Sequence, residues 1–411
     1  MSRRRILQAI GVTASLLVVG LVLKLSPVPV AGQVAGDKSV AASKAGPPPR
    51  TAWGEPDLQG IWTNNYETPL QRPARYGNKD FFTDEERDAL DKQRTSILSE
   101  DRRQSRGSEQ DVSGAYNTAI FLSHKHTGRR TSLIVDPPDG RIPSVTPEVT
   151  KRRQELREFQ LALLQPTDTC KNKLPGCEGG KYGPPSPRRT ETPPSYLATG
   201  VAAGGIINRS DNPEDRTLGE RCMAAILPDF GGAAGFFPQI VQSPGTVSIF
   251  YDTGQGQGWQ RIIPVTGRPH LPPSVRQWWG DSRGRWEGNT LIVDVTNFTS
   301  KTDYQGSRDS LHLTERWTRV DANTIEYTVT LDDPTTWTRP WTVKQEFTRQ
   351  DDKANRVYKE PRCHEGNYGM VALLAGERAE ERAFAQKRGP NPATLCTAGC
   401  SGVEEANPLA R

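Results

Sequence analysis

Residues 311–331 read Leu311-His-Leu-Thr-Glu-Arg-Trp-Thr-Arg-Val-Asp-Ala-Asn-Thr-Ile-Glu-Tyr-Thr-Val-Thr-Leu331, and this stretch decides the fold class. Ile325, Tyr327, Val329 and Leu331 share one face of an extended chain, while Glu326, Thr328 and Thr330 share the other. Leu311, Leu313 and Trp317 alternate in the same way, and Glu315 falls on their apolar face. Asp321-Ala-Asn-Thr324 supplies turn residues between the two runs. The period of two recurs over residues 241–251, 260–265, 285–296 and 342–348, and Glu287-Gly-Asn-Thr290 is a second short turn. Sequential strands with short turns predict an antiparallel meander that forms a barrel or strongly curved sheet. The expected fold is mainly β with peripheral helices.

The helices lie outside the meander. Thr83-Asp-Glu-Glu86 is a capping box: the Thr83 hydroxyl accepts from one amide and the Glu86 carboxylate from the other. A polar helix to about residue 100 is expected after it. Thr146-Pro147-Glu148 opens a second helix, with Thr as cap and Pro in the first turn. Residues 130–136 read as a strand stopped by Pro137-Pro138, and residues 367–387 as a late helix over an open end or edge of the sheet.

Composition narrows the function classes. The 411 residues carry 53 Lys+Arg against 48 Asp+Glu, a formal charge of +5 without a dense basic stripe, so nucleic acid is not an expected partner. A hydrophobic content of 34% with a mean hydropathy of −0.66 excludes a multi-span membrane protein. Nine Trp, ten Tyr and eleven Phe are enough to build a core. The 38 Gly and 33 Pro point to many turns.

Met1-Ser-Arg-Arg-Arg-Ile-Leu-Gln8 is a positive n-region, and the apolar run over 9–23 is shorter than the ~20 residues of a bilayer span. Ser2-Arg-Arg-Arg-Ile-Leu7 resembles a twin-arginine export signal. An uncleaved anchor is the alternative, and it is the one route to a membrane. Either way the folded part is expected outside the cytoplasm, periplasmic or secreted, or anchored in the inner membrane and facing the periplasm. The expected organisation is an export signal or anchor (1–31), a disordered linker (32–52), and a strand, helix and loop region packed on the barrel (53–200). The β-meander domain with its late helix (201–388) and a Cys-containing tail (389–411) follow. Six cysteines in an exported chain read as disulfides, with local pairs Cys170–Cys177 and Cys396–Cys400 leaving Cys222 with Cys363.

Four stretches stand out together: Pro56-Asp-Leu-Gln-Gly-Ile-Trp-Thr63, Thr131-Ser-Leu-Ile-Val-Asp-Pro-Pro-Asp-Gly-Arg-Ile-Pro143, Gly280-Asp-Ser-Arg-Gly-Arg-Trp-Glu-Gly288 and Cys363-His-Glu-Gly-Asn-Tyr-Gly-Met370. They resemble an uncharacterised family of exported bacterial proteins, over about residues 55–385. That resemblance implies export and no particular activity. Gly60-Ile61-Trp62 ahead of a meander is similar to the Gly-x-Trp start of lipocalin-like barrels, which implies a ligand cavity inside a barrel. The helices between residues 83 and 164 depart from that pattern.

Several residues could carry chemistry. Glu315 points among apolar side chains, where burial raises a carboxyl pKa and suits a general acid or base. The competing reading is a structural pair with a sequence-near Arg316, Arg319 or Arg339. His364 and Glu365 follow Cys363 and complete the candidate catalytic set with Glu315. His270, His312 and His364 are the candidate ligands of a divalent metal, the cofactor this histidine set could hold; local hydrogen bonding by each is the competing reading. Seven of the nine Trp fall between residues 259 and 341, interleaved with arginines. Trp279, Trp286, Trp317, Arg276 and Arg285 are therefore candidates for a small apolar or aromatic ligand, against a Trp-rich core with Arg on its rim. Gly280-Asp-Ser-Arg-Gly284 matches the Gly-x-Ser-x-Gly pattern, but a strand rather than a helix follows, so a turn is the better reading than a serine hydrolase. Two functions remain: an exported ligand-binding barrel, or an exported hydrolase, lyase or isomerase using acid/base or metal-assisted chemistry.

Overall fold

A computed structural model describes residues 48–99, 125–193, 207–218, 220–222, 227–230, 237–254, 257–350, 368–397 and 400. The chain divides into two compact units, residues 1–45 and 46–411, and every element below belongs to the second. The expected export signal and most of the linker lie outside the described residues.

The chain builds an antiparallel barrel. Its wall contains β1 (Gly60–Thr63), β5 (Phe237–Ser243), β6 (Thr246–Gly254), β7 (Gln257–Pro264), β8 (Asp281–Glu287), β9 (Thr290–Thr296), β10 (His312–Arg319), β11 (Thr324–Asp332) and β12 (Trp341–Arg349). They run around the wall in the order β7-β6-β5-β1-β12-β11-β10-β9-β8, and every ladder is antiparallel. The meander is therefore sequential on both sides of β1. This short strand joins the two arms: Gly60 and Ile61 pair with Ile240 and Gln239, and Trp62 and Thr63 pair with Arg349 and Thr348. Outside this path, β4 (Ile134–Asp136) pairs with β12, while β2 (Tyr66–Glu67) and β3 (His126–Thr127) form a separate parallel pair. Two strands from the N-terminal region, β1 and β4, thus belong to the barrel sheet itself.

The seam lies between β7 and β8. Nine strands alternating in direction leave the two edges running the same way, so an antiparallel ladder cannot join them. Side chains close the seam instead. Arg261 on β7 donates from Nε to Ser282 Oγ on β8 at 2.9 Å. Gly284 has no Cβ, and one placed there would stand 2.9 Å from Val265 Cγ2 and 3.0 Å from Ile263 Cγ2. The alternation read at 311–331 is the inward face of this wall: Leu313, Trp317, Ile325, Tyr327, Val329 and Leu331 are all buried in one core cluster. Each such side chain contributes roughly 1.5–3 kcal/mol by leaving water.

Three local expectations are corrected. The run 241–251 is two strands, β5 and β6, parted by the turn at Pro244-Gly245, where Gly245 takes a φ of +75° that other residues rarely adopt. The expected strand at 130–136 shrinks to β4. Thr146 precedes its helix but caps nothing; its hydroxyl donates to the Thr335 carbonyl at 2.8 Å. The helices are α1 (Asp84–Ser99), α2 (Pro147–Leu164), α3 (Asp168–Lys171) and α4 (Tyr368–Ala385). The capping box of α1 is made: Thr83 N donates to Glu86 Oε2 at 2.8 Å and Glu86 N to Thr83 Oγ1 at 3.3 Å.

Cys170–Cys177 and Cys396–Cys400 are bonded. Cys170, Cys177 and Cys400 pack with Leu164 in one small cluster, which ties the tail to the end of α2. Cys222 is also disulfide-bonded, and Cys363 lies outside the described residues. Disulfides suit an oxidising compartment. No helix among the described residues is long and apolar enough to cross a membrane.

Candidate functional site

A charged cluster sits on the inner face of the barrel. Glu315 is fully buried on β10, opposite Val293 of β9 and Val329 of β11. Its Oε2 lies 2.6 Å from Arg261 Nη2 of β7, with both side chains withdrawn from water. Its Oε1 accepts from the Tyr327 hydroxyl at 2.7 Å. Arg261 also donates from Nη1 to the Tyr251 hydroxyl at 3.3 Å. A buried charge needs a partner of opposite sign, and the lumen supplies one. Burial works against the Arg261 charge, but Glu315 and Tyr251 outweigh it and raise its pKa. Burial also drives the Tyr251 and Tyr327 hydroxyls above the ordinary tyrosine range, so both remain proton donors.

Aromatic rings enclose this cluster. Trp286, Leu291, Trp317, Tyr327 and Gln345 follow one another in register across β8 to β12, placing them at one level of the lumen. Trp317 stacks on Phe347 with centroids 5.9 Å apart, and Tyr327 lies 4.3 Å from Trp317. Trp259 stacks between Tyr251 at 5.2 Å and Trp279 at 5.8 Å. Trp62 of the Gly-x-Trp stretch donates from Nε1 to the Leu58 carbonyl at 2.9 Å, under the Arg319 guanidinium. The indole N–H groups of Trp259, Trp286, Trp317, Trp337 and Trp341 are buried without an acceptor among the described residues.

The proposed ligand residues divide by face. Trp317 is buried in the core cluster inside the barrel, and Trp279 and Trp286 are partly buried against it. Arg285 points outward and pairs with Glu287, and Arg276 donates to the Asp309 carbonyl. The arginine that meets Glu315 is Arg261 of β7. Its place was legible in the alternation Trp259, Arg261, Ile263 on one face of β7; its pairing with Glu315 was not.

His270 and His312 meet on the outer wall rather than at Glu315. His270 contacts Asp281 Oδ2 through Nδ1 at 2.8 Å and Asp294 Oδ1 through Nε2 at 2.7 Å. His312 Nε2 contacts Asp294 Oδ2 at 2.7 Å. His312 and Glu315 are three residues apart on one strand, so they project from opposite faces. Three ligand atoms within 4.8 Å occur, among the described residues, at Asp211, Glu377 and Glu381, without a histidine. His364 and Glu365 lie outside the described residues. Ser282 stands on β8 with its hydroxyl held by Arg261, a strand position and not a nucleophile turn.

The outer pair has a pH signature. The hydrogen bond to Asp294 raises the His312 pKa, and the bond from His312 lowers that of Asp294. A raised His pKa stabilises below the ordinary value of about 6.5 and is lost as pH rises through the folded value. A lowered Asp pKa stabilises above about 3.9 and is lost as pH falls through the folded value. His270 and Asp332 also face this pair. The stability difference between wild type and His312→Asn is expected to shrink as pH rises from about 6 to 9. Urea unfolding at stepped pH measures it, and a constant difference would rule the linkage out.

No protein-family model matches this chain, and no curated protein matches it. Solved structures similar to it include a secretory abundant heat soluble protein from Ramazzottius varieornatus, 12% identical over 30% of this chain and 77% of that one, with a TM-score of 0.21. The wild-type fluorescent protein UnaG is also similar, 15% identical over 29% of this chain and 77% of that one, with a TM-score of 0.19. The likeness is slight, and the barrel assignment stands on the strand order of the chain itself.

Proposed function

We propose that this protein is an exported binding protein that holds a small apolar or aromatic molecule inside its barrel. The observation that carries this reading is the buried Arg261–Glu315–Tyr327 cluster within an aromatic shell whose indole donors are unmet. Polar groups fixed inside an apolar enclosure give orientation and specificity to a ligand held by apolar contact. The disulfides support a periplasmic or secreted location. An enzymatic reading rests on the Tyr327–Glu315 hydrogen bond, a donor–acceptor pair suited to proton transfer. Binding is favoured, because both Glu315 oxygens are engaged and a base would first have to release one.

Titration of the disulfide-intact protein with the neutral dye N-phenyl-1-naphthylamine tests the reading. A saturable rise in dye emission at one site per chain is expected, with energy transfer from the lumen tryptophans. Folded protein that shows no saturable binding would overturn it.

A further inference from the structure

We infer that the barrel's occupant is an uncharged aromatic molecule bearing oxygen acceptors, a ketone, ester or ether and not a carboxylate. This rests on the reading of the barrel as a binding site. The first argument is charge. Arg261 and Glu315 already neutralise each other at 2.6 Å, with side-chain exposures of 3% and 0%. A carboxylate drawn to Arg261 would set two anions against one cation where the dielectric is low, leaving one buried charge uncompensated. Asp229 adds a negative field at Tyr251 and Tyr304, which disfavours an anion further. A cation fares no better, since Tyr327 and Arg261 occupy both Glu315 oxygens.

The second argument is hydrogen bonding. Trp259, Trp317 and Trp341 are 5%, 2% and 0% exposed, and their Nε1 donors have no acceptor among the described residues. Trp286 Nε1 is unmet in the same way. Trp62 shows the contrast, with its donor satisfied by a carbonyl 2.9 Å away. Buried polar groups are normally paired, and the lumen groups without a hydrogen bond are mostly indole donors, beside Gln345 Oε1 and the ion-paired Arg261 Nη2 and Glu315 Oε2. Trp286 and Trp317 follow each other in register on either side of Leu291, so two unmet indole donors belong to the same stretch of wall. Trp317 stacks on Phe347, with Tyr327 tilted against both, and such aromatic faces favour a flat partner.

Calorimetric titration of the full-length, disulfide-intact protein tests this with matched probes. Acetophenone and 2-acetylnaphthalene carry the ketone, benzoate and 2-naphthoate the carboxylate, and ethylbenzene and 2-ethylnaphthalene neither. The ketones are expected to bind about tenfold more tightly than the hydrocarbons, the size of one well-made buried hydrogen bond, and more tightly than the carboxylates. Trp317→Phe keeps an aromatic ring, smaller than the indole, and deletes the donor; the lost area weakens ketone and hydrocarbon alike, so the variant should erase most of the ketone's advantage over the hydrocarbon. Trp286→Phe gives the same test if the first variant fails to fold. Carboxylates binding as well as ketones would overturn the neutral-ligand inference while leaving the binding reading intact. Hydrocarbons matching ketones would show that the indole donors are unused. Failure of all six probes to bind where N-phenyl-1-naphthylamine does would remove this inference alone, and failure of the dye as well would remove the binding reading with it.

Discussion

Replacing Glu315 with glutamine is expected to destabilise the protein by about 3–5 kcal/mol, because it leaves the Arg261 guanidinium charged and uncompensated inside the barrel. Glutamine matches glutamate in shape, so packing barely changes and the loss is electrostatic. The Tyr327 hydroxyl, held protonated by burial, can still donate to the amide oxygen. The double variant Arg261→Met/Glu315→Met removes both charges together and is expected to lose less than either single charge deletion. It also removes the hydrogen bonds that Arg261 gives to Ser282 Oγ and Tyr251 OH, so it should not reach wild-type stability. Urea unfolding of Glu315→Gln, Arg261→Met and the double variant at pH 7 reads these differences. A near-neutral Glu315→Gln would mean that water reaches Arg261, and the lumen would not be the low-dielectric enclosure on which the ligand argument depends.

Gly284→Ala is expected to cost about 1–3 kcal/mol through overpacking at the barrel seam. The added methyl would stand 2.9 Å from Val265 Cγ2, 3.0 Å from Ile263 Cγ2 and 3.3 Å from Leu291 Cδ1, inside ordinary van der Waals contact on three sides. No ladder joins β7 to β8 to absorb the strain by a shift in register. Val265→Ala removes the nearest of these methyls, so the double variant should be less unstable than the two single effects predict when added. Gly288→Ala is the control for backbone strain alone: its φ is +60° and nothing lies within 4 Å of a Cβ there. Chemical unfolding of all four variants separates crowding from conformational strain. Additive effects within roughly 0.5 kcal/mol would show that Val265 and Gly284 do not meet across the seam.

The inward row of β10 and β11 was readable because a strand's side chains alternate strictly, so one apolar face predicts burial without knowledge of the partner. The same rule placed Glu315 indoors, and the Thr83–Glu86 cap could be read because it is local. The turn at Pro244-Gly245 was missed, since the apolar residues before and after it continued the alternation across a tight hairpin.

Local pattern by itself determined which residues face the barrel lumen and where α1 begins, because those depend only on neighbours a few positions away. Tertiary structure alone decided that β1 enters between β5 and β12, that Glu315 pairs with Arg261 rather than with Arg316, Arg319 or Arg339, and that His270 and His312 share Asp294 on the outer wall. The physical reason is the closure of the wall. A buried carboxylate must find a cation, but which cation it meets depends on which strand lies across the lumen, and that is a property of the closed ring of strands rather than of any segment within it.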